Sequence, residues 1–150
     1  LGILKPLPFD DLSPEKMHMY WTVTNLKVFG NVAVICNFAP WSPTKLVELI
    51  RAVTGWNTTA AEILVSGERA NTLSRIFNIR EGLMSYEERI PKRFFEPFSS
   101  GPSEGQAPAL EVWHEAKLSA YRLAGWSDDG IPTKECLARL RISWAGEFLR

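Results

Sequence analysis

Apolar residues recur every three or four positions in several stretches of this chain, which is the spacing of helices that bury one face. The first stretch starts at Ser13-Pro14, where the serine can cap a helix and the proline suits its first turn. It predicts a helix over 14–29. Ser42-Pro43 repeats this start signal, and Gly55 is a natural terminator, so a second helix is predicted between them.

The third stretch predicts the longest helix of the chain. Thr59 and Glu62 form a capping box, in which each side chain can satisfy a backbone amide near the other residue. The apolar spacing continues from there to Gly82, which ends the predicted helix. A further amphipathic helix is predicted over 109–124, and a short one over 133–140.

Three segments do not follow this helical pattern. Residues 1–12 form a lead-in interrupted by prolines, and residues 28–36 are so uniformly apolar that they could be a buried helix or a buried strand. Residues 83–108 hold four prolines among serines and glycines and predict a long irregular connection that is functional or lies against another domain. The fold class predicted from these patterns is all-α, with about five or six helices and one long irregular loop, in a single domain over 1–150.

Composition excludes several classes of protein. Seventeen basic residues balance 17 acidic ones, which argues against a dedicated nucleic-acid binder because such proteins usually carry a basic excess. No apolar run reaches the roughly 18 residues of a membrane span. No apolar leader follows the first residues, and the two cysteines need not pair, so a cytoplasmic location is expected. Because the chain starts at Leu1, we interpret it as part of a longer polypeptide.

Residues suited to catalysis are few. His18 and His114 are interpreted as ordinary helix-surface or packed histidines. On local grounds Cys36 and Cys136 are interpreted as small buried apolar residues, since each lies in an apolar or helical setting. A single thiolate cannot hold an iron–sulfur cluster, which normally needs four.

Charged residues cluster on the third helix and after it. They are interpreted mainly as solvated pairs at helical spacing: Glu68, Arg69, Arg75, Arg80 and Glu81. The basic step Lys92-Arg93 in the irregular connection could hold an anion or face water.

Several strings, taken together and in order, resemble one family. They cover most of the chain from residue 24 to about residue 140: TNLKV at 24–28, ICNF at 35–38, AVTGW at 52–56, GERANTL at 67–73, FNIREG at 77–82, IPKR at 90–93, YRLAGW at 121–126 and DGIPT at 129–133. This series is similar to the C-terminal part of the tungsten-containing aldehyde ferredoxin oxidoreductases.

The resemblance implies a chemistry that the residues alone do not show. Enzymes of this family oxidise aldehydes to carboxylic acids and pass electrons to ferredoxin. They carry tungsten, sometimes molybdenum, on two pterins beside a four-iron, four-sulfur cluster. The fourth cysteine of that cluster lies in a C-terminal motif of the form Asp-x-x-Gly-Leu-Cys, which also touches one pterin.

Aligned with this motif, the chain implies Cys36 as a cluster ligand and Asn31, Ile35 and Cys36 as cofactor-binding residues. The cysteine matches, but Asn31 stands where the family has Asp and Val34 stands where it has Gly. Asparagine brings no charge to a pterin contact, and valine adds bulk where an unusual backbone angle could be needed. No catalytic residue is assigned, because the acid and the histidine near the aldehyde lie upstream in the family.

The resemblance therefore supports two hypotheses. In the first, the chain is the C-terminal domain of an aldehyde oxidoreductase that is inactive alone. It works with missing N-terminal and middle domains and with ferredoxin, and a homo-oligomer is an open alternative to a monomer. In the second, it is a helical packing domain that kept the family fold and lost the cofactor contacts. If Cys36 is a ligand, it should face outward, and the surface from Val32 to Phe38 should be apolar and exposed.

Overall fold

The fold is all-α, as predicted. The computed structural model describes residues 5–8, 10–36, 38–39 and 41–149, apart from the side chain of Ser85. The predicted lead-in over 1–12 and the segment after Cys36 thus fall partly outside the described residues. Within them there are no strands, only two isolated β-bridges. The α-helices are α1 (Pro14–Val32), α2 (Pro43–Thr54), α3 (Ala60–Arg80), α4 (Leu110–Ala124) and α5 (Lys134–Arg139).

Local capping signals explain where the helices start. The side chains of Ser13, Ser42, Thr59 and Thr133 each accept a hydrogen bond from a backbone N–H in the first turn of the helix that follows. The predicted capping box of α3 is present in full, with Glu62 bonding back to the Thr59 backbone N–H at 2.8 Å. These starts were predicted because the signal and its partner lie within three residues of one another.

The packing is centred on the crossing of α1 and α3, with α4 also against α1. The two helices of this crossing meet at Gly67, where an added Cβ would collide with the backbone carbonyl of Asn25. Only a residue without a side chain permits this approach, because the contact is with backbone that cannot turn aside. Gly67 therefore fixes the distance between α1 and α3.

Two apolar clusters form the interior. The first is built from α3, α5 and the C-terminal segment: Ile76, Cys136, Leu137, Leu140, Ile142 and Ala145. The second joins α2 to α3 and receives residues from α1 and the turn after it: Leu46, Val47 and Ile63, with Leu26, Phe29 and Ile35 packed against them.

The structure decides the open question over 28–36 and adds an element at the C-terminus. Helix α1 continues to Val32, three residues past the predicted end, and is followed by a turn rather than a strand. A 3-10 helix at Ser143–Leu149 follows α5 and was not predicted. The predicted irregular connection contains two further 3-10 helices, Ser85–Glu87 and Lys92–Phe95.

The interpretation of Glu68, Arg69 and Arg75 as solvated pairs was wrong. Glu68 is buried and accepts two hydrogen bonds from Arg139, at 2.9 and 2.7 Å. Arg75 is also buried, and its Nε donates to the carbonyl of Gly130 at 2.8 Å. These partners lie 71 and 55 residues away along the chain, so helical spacing alone could not indicate them.

The pair at the end of α3 is solvated, as predicted, but it joins adjacent residues and not residues at helical spacing. Arg80 and Glu81 form an exposed ion pair at 2.8 Å.

No helix in the part of the chain that the structure describes is both long enough and apolar enough to cross a membrane.

Candidate cofactor-binding site

The segment that the resemblance singled out forms the end of α1. The Val34 N–H donates to the carbonyl of Asn31 at 3.1 Å, and the Ile35 N–H donates to the carbonyl of Gly30 at 2.8 Å. This pair of bonds is the Schellman motif, in which the last carbonyls of a helix are satisfied by the two residues that follow it. The motif ends α1 and turns the chain sharply before Cys36.

Val34 occupies the left-handed position of this motif, with φ 56°. Glycine is the usual residue there, because a Cβ costs about 1–2 kcal/mol in this conformation and a branched one is rarer still. The departure noted at Val34 thus falls on a position whose backbone angle favours glycine. The chain keeps the turn despite the strain.

Ile35 anchors the turn. Its side chain packs against the second apolar cluster, and Phe29 of α1 packs against the same cluster. An apolar contact of this kind often accompanies a Schellman motif and holds the residue after the left-handed position inward. The side chain of Ile35 therefore faces the helices and its N–H is bonded to Gly30, which leaves its backbone carbonyl as the part that a cofactor could contact.

Cys36 lies on the outside of the turn and is exposed. The apolar side chains around it are exposed as well, at 65% for Val32, 91% for Val34 and 100% for Phe38. Both features were expected of a ligand at an interdomain surface, and the interpretation of Cys36 as a buried apolar residue was wrong. A contiguous apolar surface of this kind usually marks an interaction site.

Among the described residues no group of three or more His, Cys, Asp or Glu side chains is placed to hold a metal ion. Asn31 lies exposed in the last turn of α1, five residues before Cys36, and its neutral amide can both donate and accept hydrogen bonds. The site thus fits a shared cofactor, with one thiolate from this chain and the remaining ligands from elsewhere.

The second cysteine has the opposite environment. Cys136 is buried in the first apolar cluster, and its thiol donates to the carbonyl of Ala124 at 3.1 Å. Burial raises the pKa of the Cys136 thiol, although the nearby charge of Arg139 acts in the other direction. A buried thiol with a raised pKa is a poor nucleophile and a poor metal ligand, as the sequence indicated.

Neither histidine joins the turn that carries Cys36. His18 is exposed on α1, and its carbonyl accepts a hydrogen bond from the Thr22 hydroxyl at 2.9 Å. His114 is exposed on α4 and borders a shallow surface groove with Lys117 and Asp128. Both keep the surface role that was predicted for them.

A partly buried charge network escaped the sequence analysis. Glu88, in the irregular connection, accepts hydrogen bonds from Arg75 and Tyr121 and forms an ion pair with Lys117 at 3.2 Å. Burial would raise the pKa of Glu88, but the bonds from Tyr121 and Arg75 and the charge of Arg75 outweigh it and lower that pKa. Burial and the neighbouring Glu88 raise the pKa of Tyr121. The network ties residues 83–108 to α3 and α4.

Comparisons with known proteins agree with the resemblance. A family model described as aldehyde ferredoxin oxidoreductase, domains 2 and 3, matches residues 3–142. The tungsten-containing aldehyde ferredoxin oxidoreductase of Pyrococcus furiosus is 32% identical over 137 residues, which are 89% of this chain and 22% of that protein. The corresponding enzyme of Thermococcus kodakarensis is 32% identical over 143 residues, covering 93% of this chain and 23% of that protein.

Two further comparisons match a sulfonate oxidoreductase by sequence and a reductase complex by fold. An aliphatic sulfonate oxidoreductase, WOR-like subunit, of Pyrococcus furiosus is 34% identical over 127 residues, which are 80% of this chain and 20% of that protein. The active-site complex BamBC of benzoyl coenzyme A reductase superposes with a TM-score of 0.75 at 24% identity, over 94% of this chain and 21% of that chain. That likeness shows a common fold. The chain spans about a fifth of the length of the curated relatives it matches.

Proposed function

This chain belongs to the aldehyde ferredoxin oxidoreductase family, and we propose that it is the C-terminal domain of a tungsten–pterin oxidoreductase. Its task is to supply Cys36 as the fourth thiolate of a four-iron, four-sulfur cluster. The remaining three thiolates come from a middle domain of the same polypeptide. Alone, the chain has one thiolate and no pterin-cradling domain, so we expect it to be redox-inactive.

The observation that carries this proposal is the exposure of Cys36 at the end of α1. Its thiol lies outside the domain's own core, within a surface made apolar by Val32, Val34 and Phe38. A ligand shared between two domains needs this position, because the cluster must contact both. An apolar surround also excludes water from a cluster and so influences its reduction potential.

In the parent enzyme, an aldehyde and water become a carboxylic acid with release of two electrons and two protons, a chemistry that a tungsten or molybdenum bis-pterin supplies when bound. This chain's contribution is positional. The bonds to Asn31 and Gly30 and the half-buried side chain of Ile35 hold Cys36 at a fixed place on the surface. Ferredoxin is the proposed acceptor of the electrons.

Asn31 is the proposed pterin contact from this chain. Its amide can donate a hydrogen bond to a ring carbonyl or accept one from a ring N–H, where a carboxylate could only accept. It brings no negative charge, which would disfavour a nearby thiolate. Ile35 contributes through its backbone, since its side chain packs inward.

A second candidate function is a packing domain without a cofactor. The specific observation in its favour is that two positions of the motif, Asn31 and Val34, depart from the family pattern while the turn itself is kept. Such a domain would still need the exposed apolar surface to bind its neighbour. It would not need the thiol of Cys36.

The substrate, partners and location of the parent are also proposals. An aldehyde is the proposed substrate because the two tungsten-containing relatives named above are aldehyde oxidoreductases. The sulfonate oxidoreductase relative makes a sulfonate the alternative. We propose a cytoplasmic location from the two free cysteines, and a homo-oligomer remains part of the hypothesis.

Metal analysis of the anaerobically purified, full-length parent tests the proposal. We expect about four iron atoms and one tungsten or molybdenum per subunit. Cys36→Ala should lower the iron content and abolish the absorption and paramagnetic signals of the cluster. Cys136→Ala is the matched control, since it removes the other thiol of the chain and should leave the iron content unchanged.

Two results would contradict this proposal, one the enzyme assignment and the other the role of Cys36. A parent that folds and contains neither metal would favour the packing domain. Full iron content in Cys36→Ala would remove Cys36 from the ligand set, even in an active enzyme.

A further inference from the structure

A groove with three arginines lies on the face of α3 next to the end of α5. Arg69 comes from α3, whereas Arg139 and Arg141 come from the end of α5 and the residues after it. Trp56 and Val65 supply exposed apolar surface to the same groove. We call these five residues the arginine groove.

The arginines of this groove are held in place from below. Arg139 is fixed by two hydrogen bonds to the buried carboxylate of Glu68, at 2.9 and 2.7 Å. Arg69 is half-buried and donates from Nε to the carbonyl of Leu140 at 2.8 Å, which fixes its guanidinium group at one edge. Guanidinium groups that are already positioned lose less entropy when they bind a planar oxyanion.

Arg141 is held by its backbone. It has φ 58°, and its N–H and that of Ile142 donate to the carbonyls of Ala138 and Leu137, at 3.0 and 2.9 Å. These are the bonds of a Schellman motif, so Arg141 occupies the position where glycine is usual. A residue held in a sparsely populated conformation points to a functional constraint.

The acidic residues nearby offset the three arginines only in part and leave the groove with a net positive charge. The carboxylate of Glu62 also lines it, but it accepts from the Thr59 N–H and hydroxyl at 2.8 and 2.9 Å within the capping box of α3. Glu68 is occupied by Arg139. Among the described residues, no carboxylate forms an ion pair with Arg69 or Arg141.

We propose that the arginine groove receives a carboxylate-bearing segment from the rest of the parent polypeptide. This inference rests on the proposed function in one respect, namely that the chain works within a protein of which it forms about a fifth. Trp56 is 69% exposed here, and tryptophan with arginine is the composition typical of the centre of an interface. If a neighbouring domain covers the groove, the guanidinium groups of Arg69 and Arg141 lose water and need an anion in its place.

Removing or reversing the charge of Arg141 in the full-length parent tests this inference. With a carboxylate bound, Arg141→Gln removes an attraction and Arg141→Glu replaces it with a repulsion, so the thermal unfolding midpoint should fall in the order wild type, Gln, Glu. With no carboxylate present, Arg141→Glu relieves repulsion from Arg69 and Arg139, so the order should reverse. Both variants retain a side chain at the left-handed position, so backbone strain is not what differs between them.

Arg93 provides the matched control. It is exposed in a 3-10 helix of the irregular connection and does not line the groove. Arg93→Gln and Arg93→Glu correct for the general effect of changing the net charge of the parent. After this correction, the inference is supported if the unfolding midpoint of Arg141→Glu lies below that of Arg141→Gln. It is overturned if the midpoint of Arg141→Glu equals or exceeds that of Arg141→Gln.

Arginine modification by phenylglyoxal gives an independent measurement on the same full-length protein. We expect Arg141 to react at least tenfold more slowly in the native parent than in the denatured parent, as read by peptide mass spectrometry. Equal rates would overturn the inference. Loss of iron in Cys36→Ala tests the cluster assignment separately, so failure at the groove and failure at Cys36 can be distinguished.

Discussion

The ends of α1 and α5 have the same backbone design and different surroundings. Each ends in a Schellman motif with a residue other than glycine in the left-handed position, Val34 in one and Arg141 in the other. Each is followed by an isoleucine that packs inward, Ile35 and Ile142. By contrast, α2 and α4 end with glycine in this conformation.

The difference between the two ends lies in what covers them. Ile142 is 2% exposed, and the C-terminal 3-10 helix follows it directly, so this isoleucine is enclosed by its own domain, although Arg141 before it is exposed. Ile35 is only partly buried, and the next residue, Cys36, is exposed beside Val34 and Phe38. The same motif is thus followed by a fully buried isoleucine at α5, whereas at α1 it is followed by a half-buried isoleucine and an exposed cysteine.

The largest loss of stability that we predict is at the crossing of α1 and α3, which sets the position of the end of α1. Gly67→Ala places a methyl group against the backbone carbonyl of Asn25, so α1 must move away from α3. We expect a loss of about 3 kcal/mol or more in the free energy of unfolding, measured by urea denaturation. Ala61→Gly, at an exposed position of the same helix, is the control and should cost about 1 kcal/mol. Equal losses would contradict the close approach.

Truncating the two anchoring isoleucines compares the two ends directly. Ile142→Ala should lower the free energy of unfolding by about 3 kcal/mol, because the side chain is enclosed and leaves a cavity. Ile35→Ala should cost about 1 kcal/mol, because water can reach the space it leaves. Urea denaturation of both variants checks this, and a larger loss at Ile35 would show that the α1 end is the better enclosed of the two.

The helix starts could be predicted from the sequence, and the end of α5 was predicted to within a residue, but the end of α1 was not. Ser13, Ser42 and Thr59 act on amides within three residues, so their effect is visible in a short string. At the two ends the usual glycine signal is missing. The end of α1 was therefore predicted three residues early, and a strand remained open as an alternative.

The functional residues also differ in whether the sequence could indicate them. Cys36 was found through its resemblance to a family motif, because five neighbouring positions could be aligned with it. The arginine groove was not found, since Trp56 on one side and Arg139 and Arg141 on the other meet only in the folded chain. The role of Glu68 was missed for the same reason, because its partner Arg139 lies 71 residues away.

The two cysteines allow a chemical comparison of the exposed end of α1 with the buried interior. Cys36 is exposed, whereas Cys136 is buried and the pKa of its thiol is raised. We expect iodoacetamide at pH 8 to alkylate Cys36 on the order of 100-fold faster than Cys136, because Cys136 reacts only when the fold opens. Mass spectrometry of the two peptides at timed intervals measures the ratio. In the full-length parent, protection of Cys36 would indicate that a neighbouring domain or a cluster covers it.

The smallest effect tests the strain at the two ends themselves. Val34→Gly removes a Cβ that costs about 1–2 kcal/mol in the left-handed conformation and adds about 0.5–1 kcal/mol of backbone entropy to the unfolded chain. We therefore expect a net stabilisation of about 1 kcal/mol for Val34→Gly, and about 0.5 kcal/mol for Arg141→Gly, since arginine is not branched at Cβ. Shifts in the urea midpoint at a constant m value measure both changes.

The reverse substitution is the matched control for this strain. Gly55 ends α2 with φ 72°, and an added Cβ there would contact nothing within 4 Å. Gly55→Ala should therefore cost about 1 kcal/mol from the backbone angle alone. If Gly55→Ala destabilises and Val34→Gly does not stabilise, the valine recovers its strain energy through contacts at the surface around Cys36. The α1 end would then be stabilised within this chain, and its exposed apolar residues would not depend on a neighbouring domain.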